Sequence, residues 1–266
     1  MTGSQRAARV IAVANQKGGV GKTTTAVNLA TALAACEQRC LLLDLDPQSN
    51  ATTGLGLERP KAADSIYAGL IQGRDLAALT VKTKVPRLEL IPATVDLAGA
   101  EVELGQEGEG REARLTQGLA SQRSVYDYIL IDCPPSLGFL TLNALVAADA
   151  VLVPLQAEYY ALEGLSHLLR TVERVKRSFN ADLEILGVVL TMIDRRTSLS
   201  EMVEADVRAH MGNLVFETSI PRNVRVSEAP SHGLPALLYD LSCQGSQAYL
   251  KLASELLRRE SARVAA

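Results

Sequence analysis

The chain has 266 residues, 47% of them hydrophobic and 4% aromatic, and a formal net charge of −3. That length suits one large α/β domain with a substantial core. The slight acidity excludes a global attraction to nucleic acid, so DNA binding would need a local patch or an assembled state.

Residues 1–8 are small and polar and read as a flexible arm, too short for a helix-turn-helix domain ahead of the first strand. An apolar run over 10–14 predicts that strand, and a helical pattern extends from about 23 to 35. Between them lies Asn15-Gln16-Lys17-Gly18-Gly19-Val20-Gly21-Lys22-Thr23-Thr24. Strand, glycine loop and helix is the setting of a phosphate-binding loop. Glycines let backbone N–H groups turn around phosphate oxygens, and the helix N-terminus adds its positive end. Lys22 would reach the β- and γ-phosphates of ATP, and the Thr23 hydroxyl would ligate Mg²⁺. The usual motif opens with glycine where this chain has Gln16, and Lys17 beside it is a second lysine.

The run over 40–43 predicts a strand buried on both faces. It ends in Asp44-Leu45-Asp46-Pro47-Gln48, placing carboxylates where α/β sheets bind ligands. A short helix is expected over 64–71 and a strand over 88–91. From 101 to 114 glycines alternate with charges, predicting a mobile surface connection. The strand over 126–132 ends in Asp132, like a carboxylate that supports a Mg²⁺ shell. Cys133-Pro134-Pro135-Ser136 then breaks the chain, because proline fixes φ and cannot continue a ladder.

A further strand is predicted over 150–154 and a helix over 161–178. Leu162, Leu165, Leu169, Val172 and Val175 share one face of that helix, and Arg170, Arg174 and Arg177 another. A strand over 183–191, a helix over 199–210 and an amphipathic helix over 246–260 complete the pattern, the last with Leu250, Ala253 and Leu257 inward. Residues 9–262 thus read as a single domain followed by a short tail, 263–266. Strands alternating with helices predict an α/β fold: a mostly parallel twisted sheet with helices on both faces. The four cysteines, Cys36, Cys40, Cys133 and Cys243, show neither a Cys-x-x-Cys pair nor metal-ligand spacing. With no apolar run approaching a membrane span or signal-peptide core, the reading is a soluble cytoplasmic protein.

Lys17-Gly18-Gly19-Val20-Gly21-Lys22-Thr23 resembles the deviant Walker A loop of the ParA/MinD group of P-loop ATPases. In that group the extra lysine crosses a dimer interface and touches the partner's nucleotide, the task of an arginine finger. The stretch 44–52 looks like the first switch of ParA-type ATPases, and Ile131-Asp132-Cys133-Pro134-Pro135-Ser136 like the second. The stretch 220–231, beginning Ile220-Pro221-Arg222-Asn223-Val224-Arg225, resembles a segment of the chromosomal, Soj-type branch.

The resemblance implies roles for these residues. Lys17 would act across the dimer, while Gly18, Gly19, Val20, Gly21, Lys22, Thr23 and Thr24 would hold the phosphates. Asp46 would orient the attacking water, with Asp44, Pro47 and Pro134 in the moving switches. Thr23, Asp46 and Asp132 would form the metal set, and Pro221 and Asn223 would border the adenine. Family members dimerise on ATP, bind double-stranded DNA without sequence preference, and release it when a ParB-type partner stimulates hydrolysis. A nucleoid-associated partitioning protein is therefore expected. Arg196 and Arg225 match positions where the family places DNA-contacting basic residues, whereas Arg222 lies between two expected adenine neighbours.

Three relatives of this group fit less well. A MinD-type regulator at a membrane would need a basic C-terminal helix with bulky apolar anchors, but 246–260 carries Glu255 and Glu260 and only Tyr249 as an aromatic. An iron–sulfur ATPase of the nitrogenase iron-protein kind would need a second thiolate where Phe139 stands. A tyrosine kinase of the superfamily would carry a tyrosine-rich tail, absent from 252–266. A biosynthetic ligase of the related amidotransferase families is neither identified nor excluded by motif.

Overall fold

A computed structural model describes residues 7–158 and 161–265. The N-terminal half runs β1 (Arg9–Val13), α1 (Lys22–Ala35), β2 (Cys40–Asp44), α2 (Asn50–Gly54), α3 (Ile66–Gln72), α4 (Leu76–Leu79), β3 (Val81–Lys82), β4 (Leu88–Ile91), α5 (Leu97–Gln106) and α6 (Arg114–Leu119). The remainder runs β5 (Tyr128–Asp132), α7 (Phe139–Ala147), β6 (Ala150–Gln156), α8 (Ala161–Ser178), β7 (Glu184–Thr191), α9 (Ser198–Met211), α10 (Val224–Glu228), α11 (Ala236–Tyr239) and α12 (Gln244–Ala265).

The strands form one seven-stranded sheet in the order β3-β4-β2-β5-β1-β6-β7. All neighbours are parallel except the short edge strand β3, which pairs antiparallel with β4. The expected α/β architecture is therefore present. Its strands are continuous apolar runs because both faces are covered. Val10, Ala12, Leu41, Leu43, Ile129 and Ile131 face one core, which α3, α5, α6, α7 and α8 close with Leu70, Leu104, Leu115, Leu140 and Leu165. Ile11, Val13, Leu42 and Leu130 face the other, closed by Leu29 and Leu33 of α1 and by Tyr249, Leu252 and Leu256 of α12.

Three expectations need correction. The connection expected over 101–114 is confined to 107–110: α5 continues to Gln106 because Ala100 and Leu104 are buried beneath it. Arg111 then closes its C-terminus, donating to the carbonyls of Gly105 and Glu107, both at 2.9 Å. In α12 the buried face is Tyr249, Leu252, Ala253 and Leu256, while Leu250 and Leu257 are only partly covered. The boundary expected at 262 falls inside α12, which continues to Ala265, with Arg263 paired to Glu260 and Glu184. At the other end, most of the expected arm lies outside the described residues. Ala8 is buried, and its N–H donates to the Arg123 carbonyl at 2.7 Å. Among the described residues no helix is long and apolar enough to cross a membrane.

Candidate nucleotide site

Val13, Asp44 and Asp132 end three adjacent parallel strands in register, Val13 and Asp44 each pairing with Asp132. The residues that follow them are thereby delivered to one edge of the sheet. This is the carboxyl edge, near the point where strand order reverses, at which open α/β sheets bind ligands.

The phosphate loop leaves β1 and is fixed from two sides. The Asn15 amide donates to the Pro154 carbonyl at 2.7 Å and its oxygen accepts the Lys17 N–H at 3.0 Å. The Thr191 hydroxyl, ending β7, donates to the Val20 carbonyl at 2.8 Å. Gly19 and Gly21 take φ of +77° and +86°, which side chains disfavour. Apart from the glycine itself and its chain neighbours, no atom of the described residues lies within 4 Å of where a Cβ on Gly18 or Gly19 would sit. Gly21 caps α1 without a side-chain hydrogen bond, leaving the first helical N–H groups to an anionic ligand.

The two lysines diverge. Lys22 is buried and its ammonium donates to the Lys17 carbonyl at 3.1 Å. Burial pushes its pKa down, opposed by the charges of Asp132 and Asp46. Lys17 is half exposed and reaches away from the loop to an ion pair with Glu158.

Three carboxylates gather beneath the loop. Asp44 is fully buried, accepting the Thr52 N–H at 2.8 Å and the Thr52 hydroxyl at 2.7 Å, and burial pushes its pKa up to about 6. Thr52 is held in turn by the Ala93 N–H, which donates to its hydroxyl oxygen at 3.1 Å. Asp46 keeps slight exposure and accepts the Gln48 N–H at 2.9 Å, with Ser49 turning the chain at φ +55°. Asp132 is completely buried, and neither oxygen has a hydrogen-bond partner of normal geometry among the described residues. Burial and the Asp44 charge push its pKa well up, against the influence of the Thr23 side chain and Lys22.

An orphaned buried carboxylate beside a threonine hydroxyl and a lysine fits a Mg²⁺ bound largely through water and phosphate. Such a site needs only one or two protein ligands, and no cluster of three metal-binding side chains occurs among the described residues.

The expected adenine neighbours are placed unequally. Pro221 bridges in register to Ile193, just beyond β7, whose Thr191 grips the phosphate loop. The Asn223 side chain is committed to its own helix, capping α10 by accepting the Val226 N–H at 3.3 Å. Arg196 forms a two-point pair with Asp194 at 2.7 and 2.8 Å. Arg225 pairs with Glu228 at 3.1 Å and with Asp240 at 3.7 Å. Sequence reasoning missed Asn15, Thr191, Thr52 and Glu158. Asn15 and Thr52 carried a local signal, lying inside the 15–24 and 44–52 stretches; Glu158 and Thr191 act across 141 and 171 residues of chain.

A family model described as an AAA domain matches residues 8–185. The chain is 60% identical to the chromosome partitioning protein ParA of Caulobacter vibrioides over 259 residues, 97% of both chains. It is 52% identical to the sporulation initiation inhibitor protein Soj of Bacillus subtilis, over 93% of this chain and 98% of that one. The chain belongs to the ParA/Soj family of P-loop ATPases. Its fold also matches a crystal structure of cobyrinic acid a,c-diamide synthase from Mycobacterium smegmatis with bound ADP and magnesium. That match has a TM-score of 0.83 and 41% identity, covering 96% of each chain. The sequence identity to the ParA and Soj proteins is higher over nearly the same span. Lys17, Asp44 and Asp46 all lie at the carboxyl edge of the sheet, with the Asp46 N–H donating to Asp44 at 3.3 Å.

Proposed function

We propose that the chain is an ATP-dependent dimeric switch for chromosome or plasmid partitioning. It would bind DNA non-specifically when ATP-loaded and release it on hydrolysis stimulated by a ParB-type partner. One observation carries this reading: the phosphate loop holds two lysines, Lys22 turned in and Lys17 turned out. A single subunit needs only the inner one to hold phosphate. The outer one, held at the surface by Glu158, would serve a second subunit.

In this reading Gly18 to Thr24 cradle the phosphates of ATP, Lys22 neutralises the β- and γ-phosphates, and Thr23 and Asp132 hold Mg²⁺. Bound Mg²⁺ would offset charge developing on the transferred phosphoryl group. Asp46 orients water for in-line attack, with Asp44 holding the Asp46 backbone. Lys17 completes the partner's site, so catalysis rests on positioning and charge rather than a covalent intermediate. The names of the relatives and the ADP and magnesium in the neighbouring structure support the substrate and the cofactor. Loss of the γ-phosphate removes contacts that both subunits share, which relaxes the segments after Asp46 and Asp132.

Membrane docking by α12 is disfavoured by its packing. Tyr249, its sole aromatic residue, is 1% exposed and engaged at 3.4 Å with the Thr25 hydroxyl. The test is DNA binding by purified protein with ADP, ATP and a slowly hydrolysed analogue, on unrelated duplexes. Binding confined to the ATP and analogue states supports the switch. Equal binding in all states overturns it, and nucleotide-dependent sedimentation with liposomes would favour the membrane alternative.

A further inference from the structure

We propose that Glu101, on α5, is a positioning residue for ATP hydrolysis. Its carboxylate fixes the far end of the segment that leaves Asp132, and thereby sets where that segment meets the reacting phosphate. The proposal rests on the phosphate-loop reading and is independent of the DNA reading.

The near end of the segment is rigid. Asp132 closes β5, its carbonyl accepts the Leu45 N–H at 3.0 Å, and the next N–H, from Cys133, donates to the Val13 carbonyl at 3.2 Å. The far end is the start of α7, where the first helical N–H groups lack intrahelical partners. Glu101 supplies them from another helix: one oxygen accepts the Phe139 N–H at 2.6 Å, the other the Leu140 N–H at 3.2 Å. A carboxylate here also meets the positive end of the helix. The Phe139 ring is gripped as well, with the Arg111 guanidinium 4.6 Å from its centroid.

Only residues 134–138 lie between these anchors. Pro134 and Pro135 fix two φ angles, and the Ser136 carbonyl accepts the Thr141 hydroxyl at 2.6 Å. A five-residue span with so few free torsions takes its position from its ends. One end is the sheet. The other is the contact between Glu101 and α7.

Gly138 gives that contact an independent signature. A Cβ there would lie 2.4 Å from both Glu101 oxygens, closer than real atoms approach. Gly138 has φ −86° and ψ −164°, an extended conformation open to any residue. The constraint on residue 138 therefore comes from the present seat of the carboxylate and not from the backbone. A side chain at 138 would push the Glu101 carboxylate off the N–H groups it now accepts, and removing the carboxylate should make room for the side chain.

The experiment measures ATP turnover and, separately, affinity for a slowly hydrolysed ATP analogue, using the full chain. Displacing groups around a reaction centre by about 1 Å costs up to about a hundredfold in rate. Glu101→Ala should lower kcat about tenfold with analogue affinity within about twofold of wild type, the mark of an interaction felt in the transition state. Glu101→Gln keeps neutral acceptor capacity and should lose less. Gly138→Ala should resemble Glu101→Ala, and the double variant should be no slower than either single one. Wild-type kcat in Glu101→Ala, or losses that multiply in the double variant, would overturn the proposal. So would equal losses of kcat in the Gln and Ala variants. If wild-type protein binds no analogue, the phosphate-loop reading falls and takes this inference with it.

Discussion

The Lys22 ammonium donates to the Lys17 carbonyl at 3.1 Å, while the Lys17 ammonium turns outward to Glu158. Five residues apart in one loop, the two cations serve different spaces. An exposed ion pair such as Lys17–Glu158 contributes little, so Glu158 can park Lys17 without competing strongly for it. Lys22→Ala should weaken ATP binding about a hundredfold, as loss of a charge-assisted contact worth about 3 kcal/mol implies. Lys17→Ala should leave ATP binding intact and abolish the ATP-dependent dimer. Equilibrium dialysis reads the first effect and light scattering the second. A persistent dimer in Lys17→Ala would refute the cross-subunit role.

Asp46 retains enough exposure to meet water, and its oxygen also accepts the Gln48 N–H that shapes the following turn. Asp46→Ala removes both functions. Asp46→Asn keeps an acceptor for the turn while removing the charge, so it isolates the effect on water. Both variants should bind ATP and dimerise, and both should lose turnover by a factor of about a hundred or more. Single-turnover hydrolysis checks this, and a wild-type rate in Asp46→Asn would show that another group orients the water.

Strand positions are the most legible part of the chain, because runs such as 40–43 are apolar on both faces and can only sit inside a covered sheet. The glycine loop is legible for a different reason: the residues that shape its turn and the start of α1, 18–24, are consecutive. What supports the loop is not. Thr191 grips Val20 across 171 residues of chain, a contact that no local pattern encodes. The α5 region misleads in another way. Gly105, Gly108 and Gly110 suggest a loop, yet buried Leu104 and the Arg111 cap stabilise helix up to Gln106, where tertiary packing outweighs propensity. In α12 the helical period is plain in the sequence but the inward face lies one position away from Leu250 and Leu257. Tyr249, a surface aromatic by its chemistry, is a core residue here.

Glu255 of α12 accepts the N–H groups of Glu217 and Thr218 at 2.8 and 2.9 Å and pairs with Arg259 at 2.8 Å. These contacts brace the segment leading to Pro221. Burial pushes the Glu255 pKa up, but the two N–H donors and Arg259 outweigh it and hold the pKa below the usual glutamate range. A depressed carboxylate pKa adds stability that is full above the unfolded-state value and disappears as pH falls through the native one. Glu255→Gln should therefore destabilise the protein by about 1–3 kcal/mol at neutral pH. The difference from wild type should shrink as pH drops below about 4. Urea unfolding of both proteins across pH tests this, and a pH-independent difference would show that packing, not charge, is at stake.

The DNA surface is the most demanding inference, because both candidate arginines already have partners. Arg196 is bound at two points by Asp194, and Arg225 by Glu228 and Asp240. A DNA phosphate would share each guanidinium with a carboxylate or displace it, and the neighbouring negative charge weakens the contact, while binding releases counterions from the DNA. In a single subunit of net charge −3 that exchange gains little. Two subunits joined by ATP engage twice as many phosphates at once, so affinity should appear with the dimer and fall steeply with salt. Arg225→Glu should cut affinity severely and flatten the salt dependence, while leaving ATP-driven dimerisation intact. Glu228→Gln should do the opposite and strengthen binding, since it frees Arg225 from its nearer partner. Neither change should alter preference among unrelated duplexes, because contacts to phosphate carry no base information. Gel shifts with ATP at several salt concentrations measure all of these. Unchanged affinity in Arg225→Glu and Arg196→Glu would remove this face from the DNA surface, and weaker binding in Glu228→Gln would show that the ion pair positions Arg225 instead of restraining it.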